Sequence, residues 1–309
     1  MNDTNATFAV LFPGQGSQFG GMADPWIGHP AGRAVLDEAS VAIGRDVVAG
    51  GHDVAALATT EFVQPAILAC DVAAFRVLQA QGLSDVVGVA GHSLGEFAAL
   101  AAAGVLTLAD ALDLVAVRGR AMQRACQERP GAMTALLGIG TPDADALCDD
   151  ARGDDVLLVA NQNSPAQVVA SGSVRAIERL ESLAKERKVR AVRLSVAGAF
   201  HSPLMEPAVE ELNAKLDALE FRAPAFPIAE NVSGSLESDP AELAALVRRH
   251  VVSPVRWESC VRALAGAGAS TFVEAGPGEV LTKLMKRIVP EATAVAVGSA
   301  DDAAAALGA

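Results

Sequence analysis

Val86-Val87-Gly88-Val89-Ala90-Gly91-His92-Ser93-Leu94-Gly95-Glu96 is the stretch on which the reading of this chain turns. A β-branched apolar run enters Gly-His-Ser-Leu-Gly, and an alanine-rich segment, 97–103, leaves it as helix. A strand that turns abruptly into a helix strains the backbone of the turn residue, and flanking glycines remove side chains that would clash there. The pattern is that of the Gly-x-Ser-x-Gly nucleophile elbow, which lifts a serine Oγ clear of a sheet. The helix begins at Ser93, so its free N–H groups and positive dipole end face any anion formed at that hydroxyl. The plainer alternative is a serine that only caps a helix behind a buried strand.

Composition sets the frame around that turn. The 309 residues hold one large domain or two modest ones. Hydrophobic residues make up 51% and charged ones 20%, which describes a globular chain and not a disordered one. Gly, Asp or Arg interrupts each apolar run well short of bilayer-spanning length, so no transmembrane helix and no membrane partner are expected. Residues 1–5 carry no basic n-region, and no secretory signal is read. Cys70, Cys126, Cys148 and Cys260 stand far apart with no C-x-x-C pair, which argues against zinc or another metal and fits a reducing cytoplasm. A net charge of −13 repels polyanions at long range, so no nucleic-acid partner is expected. An acidic partner would need a local basic patch.

Upstream of the elbow, residues 7–12 form a β-rich run that ends in Pro13-Gly14-Gln15-Gly16-Ser17-Gln18. A dinucleotide loop would need glycine at 19, where the chain has Phe19. Two readings stay open: a loop that offers a backbone N–H to an oxyanion beside the elbow, or an ordinary strand-to-helix turn. Residues 33–49 and 62–81 show helical apolar spacing. Downstream, Thr107-Leu108-Ala109-Asp110 resembles a capping box and opens a helix to about Cys126. Its apolar face runs Ala111, Leu114, Val115, Arg118, Met122, which puts a guanidinium on the buried side. There it either pairs with an acid, snorkels to the surface, or clamps a substrate carboxylate.

From 131 to 196 the pattern becomes strand, helix, two strands, helix, strand, a βαββαβ unit of ferredoxin-like kind. It interrupts the α/β chain and reads as an inserted small domain, 131–196, within a large domain of 1–130 and 197–309. Lys185, Arg187, Lys188, Arg190 and Arg193 cluster at its end, either as a solvated face or as a dock for an acidic partner. Next comes Gly198-Ala199-Phe200-His201-Ser202-Pro203, in which Ser202 and Pro203 fit the N-cap and N1 of a helix through Leu219. His201 then lies beside a helix N-terminus, whose dipole disfavours imidazolium and keeps the ring ready to take a proton. His92 adjoins Ser93, but adjacent side chains point apart, so it is a poor base for that hydroxyl. A strand at 271–274 runs into Gly276-Pro277-Gly278 and a helix from Val280 to Ile288, and 303–309 is a low-complexity alanine tail.

Taken in order, Gly14-Gln15-Gly16-Ser17-Gln18, Gly91-His92-Ser93-Leu94-Gly95-Glu96, Val117-Arg118-Gly119-Arg120-Ala121-Met122 and Gly198-Ala199-Phe200-His201-Ser202 resemble the malonyl-CoA:acyl carrier protein transacylase family. Val159-Ala160-Asn161-Gln162-Asn163-Ser164-Pro165, Pro254-Val255-Arg256-Trp257 and Glu274-Ala275-Gly276-Pro277-Gly278 extend the match over nearly the whole chain. The resemblance implies an α/β-hydrolase-like large domain with a ferredoxin-like small one and a site in the groove between them. It implies Ser93 as nucleophile, His201 as its activator, and the backbone N–H groups of Gln15 and Leu94 as the oxyanion hole. It also implies Arg118 as grip for a malonyl carboxylate, with Met122, Asn163 and Phe200 against the substrate. Malonyl-CoA would be the substrate and acyl carrier protein the partner that brings its own phosphopantetheine, with no bound cofactor. One departure stands out: the family usually has Gln where this chain has His250. Either a His250 ring nitrogen orients His201, or a backbone carbonyl does. A discrete polyketide acyltransferase or malonate decarboxylase transferase shares the first half-reaction. A serine esterase or thioesterase would instead pass the acyl group to water, and an idle carrier-binding module would need no intact Ser93, His201 and Arg118.

Overall fold

The computed structural model describes residues 6–308. Its strands are β1 (Phe8–Phe12), β2 (Val86–Gly91), β3 (Gly131–Leu137), β4 (Leu157–Ser164), β5 (Gln167–Ser173), β6 (Arg190–Arg193), β7 (Ile228–Ala229), β8 (Leu236–Glu237), β9 (Thr271–Ala275) and β10 (Thr293–Val297). One sheet has the order β10-β9-β1-β2-β7-β8, parallel except for β8 at its edge. All five residues of β1 are buried, as expected for a central strand covered on both faces. Phe8, Val10 and Phe12 point to a core built with the helices Thr60–Ala80 and Leu108–Glu128. Ala9 and Leu11 point to a second core, under Trp257–Gly266 and Val280–Ile288. Period-two alternation thus lets one strand hold two helical layers.

The second sheet has the order β4-β5-β3-β6, all antiparallel, which is the ferredoxin-like βαββαβ arrangement. Leu136, Leu157 and Val168 on one face pack with Leu147, Ile177 and Leu180 of the helices Thr141–Arg152 and Val174–Glu186. Met133, Ala135 and Val169, on the other face, join the core of the large sheet's helices. Backbone also ties the small sheet to the segment that leads into Trp257–Gly266: Val255 N–H donates to Ala160 O and Gln162 N–H to Val255 O, at 2.8 and 2.9 Å. The architecture is therefore a large α/β unit with a ferredoxin-like insertion, as expected.

Four local expectations need revision. The helix read over 33–49 ends at Ile43, because Gly44 turns left-handed (φ 67°), and a short helix restarts at Val47. The helix after Ser202 opens as a 3-10 turn, Pro203–Ala208, before Val209–Leu216; Pro207 supplies no N–H to an α-helical ladder there. The alanine tail contributes a helix, Ala300–Ala306, capped by Ser299 with Ala303 buried. Strand β10 escaped notice because, as an edge strand, it is only half-buried and carries no run of bulky apolar residues. Among the described residues, no helix is long and apolar enough to cross a membrane.

Candidate active site

The C-terminal ends of β1 and β2 meet at the elbow, the usual place for a site in a parallel sheet. Ser93 sits at φ 52°, a left-handed conformation that costs a non-glycine residue about 1 kcal/mol or more. The surrounding glycines are sterically required. A Cβ on Gly91 would lie 1.9 Å from the Gly95 carbonyl, and one on Gly95 would lie 2.1 Å from Phe12 O. One on Gly14 would lie 2.4 Å from His92 O, so the loop after β1 is pressed directly against the elbow.

Asn231, just past β7, holds this strained turn. Its Oδ1 accepts from Ser93 N–H, its Nδ2 donates to Gly91 O, and its own N–H donates to Glu96 Oε2, at 2.8, 2.8 and 2.7 Å. With the Ser93 amide so engaged, Leu94 N–H is the next donor along the turn. Neither it nor Gln15 N–H has an intramolecular acceptor among the described residues. Asn231→Ala should lower the acylation rate about a hundredfold and cost about 1–3 kcal/mol of stability, since Gly91 O and the Ser93 amide lose a buried partner. Rapid-quench acylation and thermal unfolding measure the two effects; a stability loss with an unchanged rate would confine Asn231 to folding.

His201 comes to the same hydroxyl from the other side, its Nε2 lying 2.7 Å from Ser93 Oγ. Nδ1 lies 3.1 Å from both His250 O and Ser253 O. Two carbonyl acceptors require an N–H at Nδ1, which leaves Nε2 bare and able to take the serine proton. The expectation for His250 is thereby corrected on one arm: its backbone carbonyl orients His201, and its ring does not. A 3-10 turn, His250–Val252, aims the carbonyls of His250 and Ser253 at the base. The His250 ring packs edge-on against His201 and Phe97, with centroids 5.3 and 5.5 Å apart, and neither ring nitrogen finds a partner among the described residues. Burial holds it well below the usual imidazole range.

His201 is driven down to about 3, first by burial and then by the Arg118 cation. A helix dipole, the expected cause, is secondary, because the segment that follows opens as a 3-10 turn. Acylation kcat/KM, which reports the free enzyme, should therefore stay level from neutrality down to about pH 5, with no limb near 6.5. The stability consequence has the opposite sense. The unfolded histidine takes up a proton below about 6.5 and the folded one does not until about 3, so stability is lost as pH falls through that window. A pH series of initial rates, with circular dichroism to verify folding, checks both; a rate limb near 6.5 in folded enzyme would contradict the first.

Arg118 is 2% exposed on the inward face of Leu108–Glu128, which excludes snorkelling. Its Nη1 donates to Gln64 Oε1 at 2.8 Å and its Nη2 to Ser93 Oγ at 3.2 Å, and the guanidinium lies 5.4 Å from the Phe97 ring centroid. Burial lowers it to about 10, partly offset by Glu96, so it is a cation at neutral pH. Gln64 also donates to the Gln15 side chain at 3.4 Å, and thus bridges cation and loop. Gln64, Asn231 and Glu96 were not singled out from sequence. A glutamine set among apolar residues near the start of the helix Thr60–Ala80, and Asn231-Val232-Ser233-Gly234 after a short apolar run, were the available signals.

These groups open into a cleft of about 620 Å³ between the two sheets. Arg118, Met122 and Phe200 line it from the large unit, while Met133, Ala135 and Val169 line it from the small sheet. Asn163 also lines it, held by His92 Nε2 at 2.8 Å, and the His92 ring in turn rests on Trp257. His92 thus faces away from Ser93, as its adjacency suggested.

The acyl transferase domain model matches residues 9–305. A malonyl CoA-acyl carrier protein transacylase of Escherichia coli K12 is 40% identical over 304 residues, covering 97% of this chain and 98% of the relative. The crystal structure of the malonyl-CoA:acyl carrier protein transacylase from Xanthomonas oryzae superposes with a TM-score of 0.94 at 40% identity, covering 99% and 98% of the two chains. A malonyl-transacylase solved in complex with a holo acyl-carrier protein of a type II polyketide synthase also reaches 0.94, at 37% identity over 98% and 99%.

Proposed function

Because this chain belongs to the acyl transferase domain family, we propose that its cleft works as a malonyl shuttle with Ser93 as the covalent carrier. The protein is an acyltransferase that moves malonyl from malonyl-CoA to acyl carrier protein for fatty acid biosynthesis. The observation that carries the assignment of residues is one hydroxyl flanked by a bare imidazole nitrogen at 2.7 Å and a buried guanidinium at 3.2 Å.

In this reading His201 takes the Ser93 proton as Oγ attacks the thioester carbonyl, and Leu94 and Gln15 N–H groups receive the oxyanion. Each such donor contributes about 3 kcal/mol to the transition state. Arg118, oriented by Gln64, turns its guanidinium to the malonyl carboxylate, while Met122, Phe200 and Asn163 bound the acyl chain. Collapse releases CoA and leaves malonyl-serine; the phosphopantetheine thiol of the carrier then reverses the steps. The cycle uses no resident cofactor. We assign 1–130 and 197–309 to the catalytic unit, 131–196 to the wall-forming unit, and the protein to the cytoplasm.

Intact mass after malonyl-CoA, followed by a chase with holo carrier protein, tests the cycle. A malonyl adduct on Ser93 that moves to the carrier is expected. Malonate released to water faster than carrier acylation would favour the hydrolase reading, which the backbone carbonyls on His201 Nδ1, in place of a carboxylate, already disfavour. A polyketide system shares the same half-reaction, and a panel of carriers in the chase distinguishes the pathways.

A further inference from the structure

Two groups meet at one oxygen, Arg118 as donor and His201 as acceptor. His201 Nε2 and Arg118 Nη2 both contact Ser93 Oγ, and their residues are 3% and 2% exposed. A proton that leaves Ser93 for His201 therefore arrives beside a fixed cation where screening is poor. Arg118 is the leading charge that pushes His201 down.

Among the described residues, Glu96 is the one acid that acts on that cation, and it offsets it only in part. His250, edge-on to His201, is held neutral by burial, and His92 is a neutral imidazole spent on Asn163. Glu96 is the carboxylate coupled to Arg118, but burial and Glu230 push it far toward its neutral form, and its Oε2 is committed to Asn231. Nδ1 of His201 meets only carbonyl dipoles, which stabilise an imidazolium less than a carboxylate does. With no acid bound, the cation in contact with Ser93 Oγ is Arg118, and proton transfer to His201 adds a second positive charge beside it.

Resting on the malonyl reading, we propose that the carboxylate of the substrate is itself the missing counter-charge: by pairing with Arg118 it makes His201 a competent base, so a dicarboxylic acyl group switches on the nucleophile that it acylates. The step balances. The Ser93 O–H bond breaks as Oγ bonds to the thioester carbon, the proton goes to His201 Nε2, and the carbonyl electron pair goes to the oxyanion. Collapse breaks the C–S bond, and the CoA thiolate takes the proton back from Nε2, leaving CoA thiol, malonyl-serine and neutral His201. An acetyl group brings no counter-charge, so it is rejected in kcat as well as in binding.

The test uses the unreactive Ser93→Ala enzyme, with His201 followed by 15N imidazole NMR in saturating malonyl-CoA and in saturating acetyl-CoA. His201 is expected to protonate about one pH unit or more higher with malonyl-CoA. Adding Arg118→Met should erase the difference. Equal titration with both thioesters, or a malonyl effect that survives Arg118→Met, overturns the inference. In the wild type, the acid limb of single-turnover acylation should lie at higher pH for malonyl-CoA than for acetyl-CoA, and coincident limbs overturn it equally. Failure of the wild type to form malonyl-serine at all would be a failure of the transacylase reading, and would take this inference with it. Formation of malonyl-serine with equal titrations defeats this inference alone.

Discussion

Ser93→Ala is expected to lower malonyl transfer about a millionfold and to leave no acyl adduct on the protein. The magnitude follows from what the hydroxyl does: with no Oγ there is no covalent intermediate, and His201 and the amide donors have nothing to activate. The fold should survive. Alanine has the same Cβ at φ 52°, and the Asn231 contact is to the backbone N–H of residue 93, which the substitution keeps. A melting temperature within a few degrees of wild type, with steady-state transfer and intact mass on the same sample, separates lost chemistry from lost structure. Residual transfer near the wild-type rate, or an adduct on another side chain, would remove Ser93 from the mechanism.

Arg118→Ala is expected to cut kcat/KM for malonyl-CoA by about a hundredfold to several thousandfold, because a buried carboxylate without its partner costs about 3–5 kcal/mol. Acetyl-CoA should be used as well as before or better, so the ratio between the two substrates collapses or inverts. The change also strands Gln64 Oε1 and uncovers the Phe97 face, so some stability is lost irrespective of substrate. Arg118→Lys, which keeps a charge but not the fork, should recover part of the malonyl activity and little of its selectivity. Competition between the two thioesters in one vessel reads the ratio directly. An equal fall for both would return Arg118 to a purely structural place beside Gln64.

The elbow was legible because its chemistry is local. Strand, turn and helix follow one another in sequence, and Gly91 and Gly95 are demanded by contacts a few residues away or to the neighbouring β1. The parallel sheet and the βαββαβ insertion were legible for a similar reason, since periodicity and order alone specify them. Arg118 was visible as a charge on an apolar stripe, although only packing shows that Gln64, 54 positions away, is its partner. What holds His201 was not legible from spacing. Backbone carbonyls at 250 and 253 leave no mark in side-chain identity, and His250 drew attention for a ring that makes no hydrogen bond among the described residues. Asn231 was hidden for a third reason: it acts on main-chain atoms 138 and 140 positions away, a contact that only tertiary structure creates.

The hydroxyl, the imidazole, the guanidinium and the two amides all stand outside the β3–β6 sheet, which lines the cleft with Met133, Ala135, Asn163, Val169 and their neighbours. Part of the chamber's outline is therefore set by a piece of chain that carries none of the reacting groups. Trimming Met133 would widen the chamber for bulkier acyl groups and leave the reacting atoms where they are, so substrate range is free to drift, or to be engineered, with the chemistry left intact.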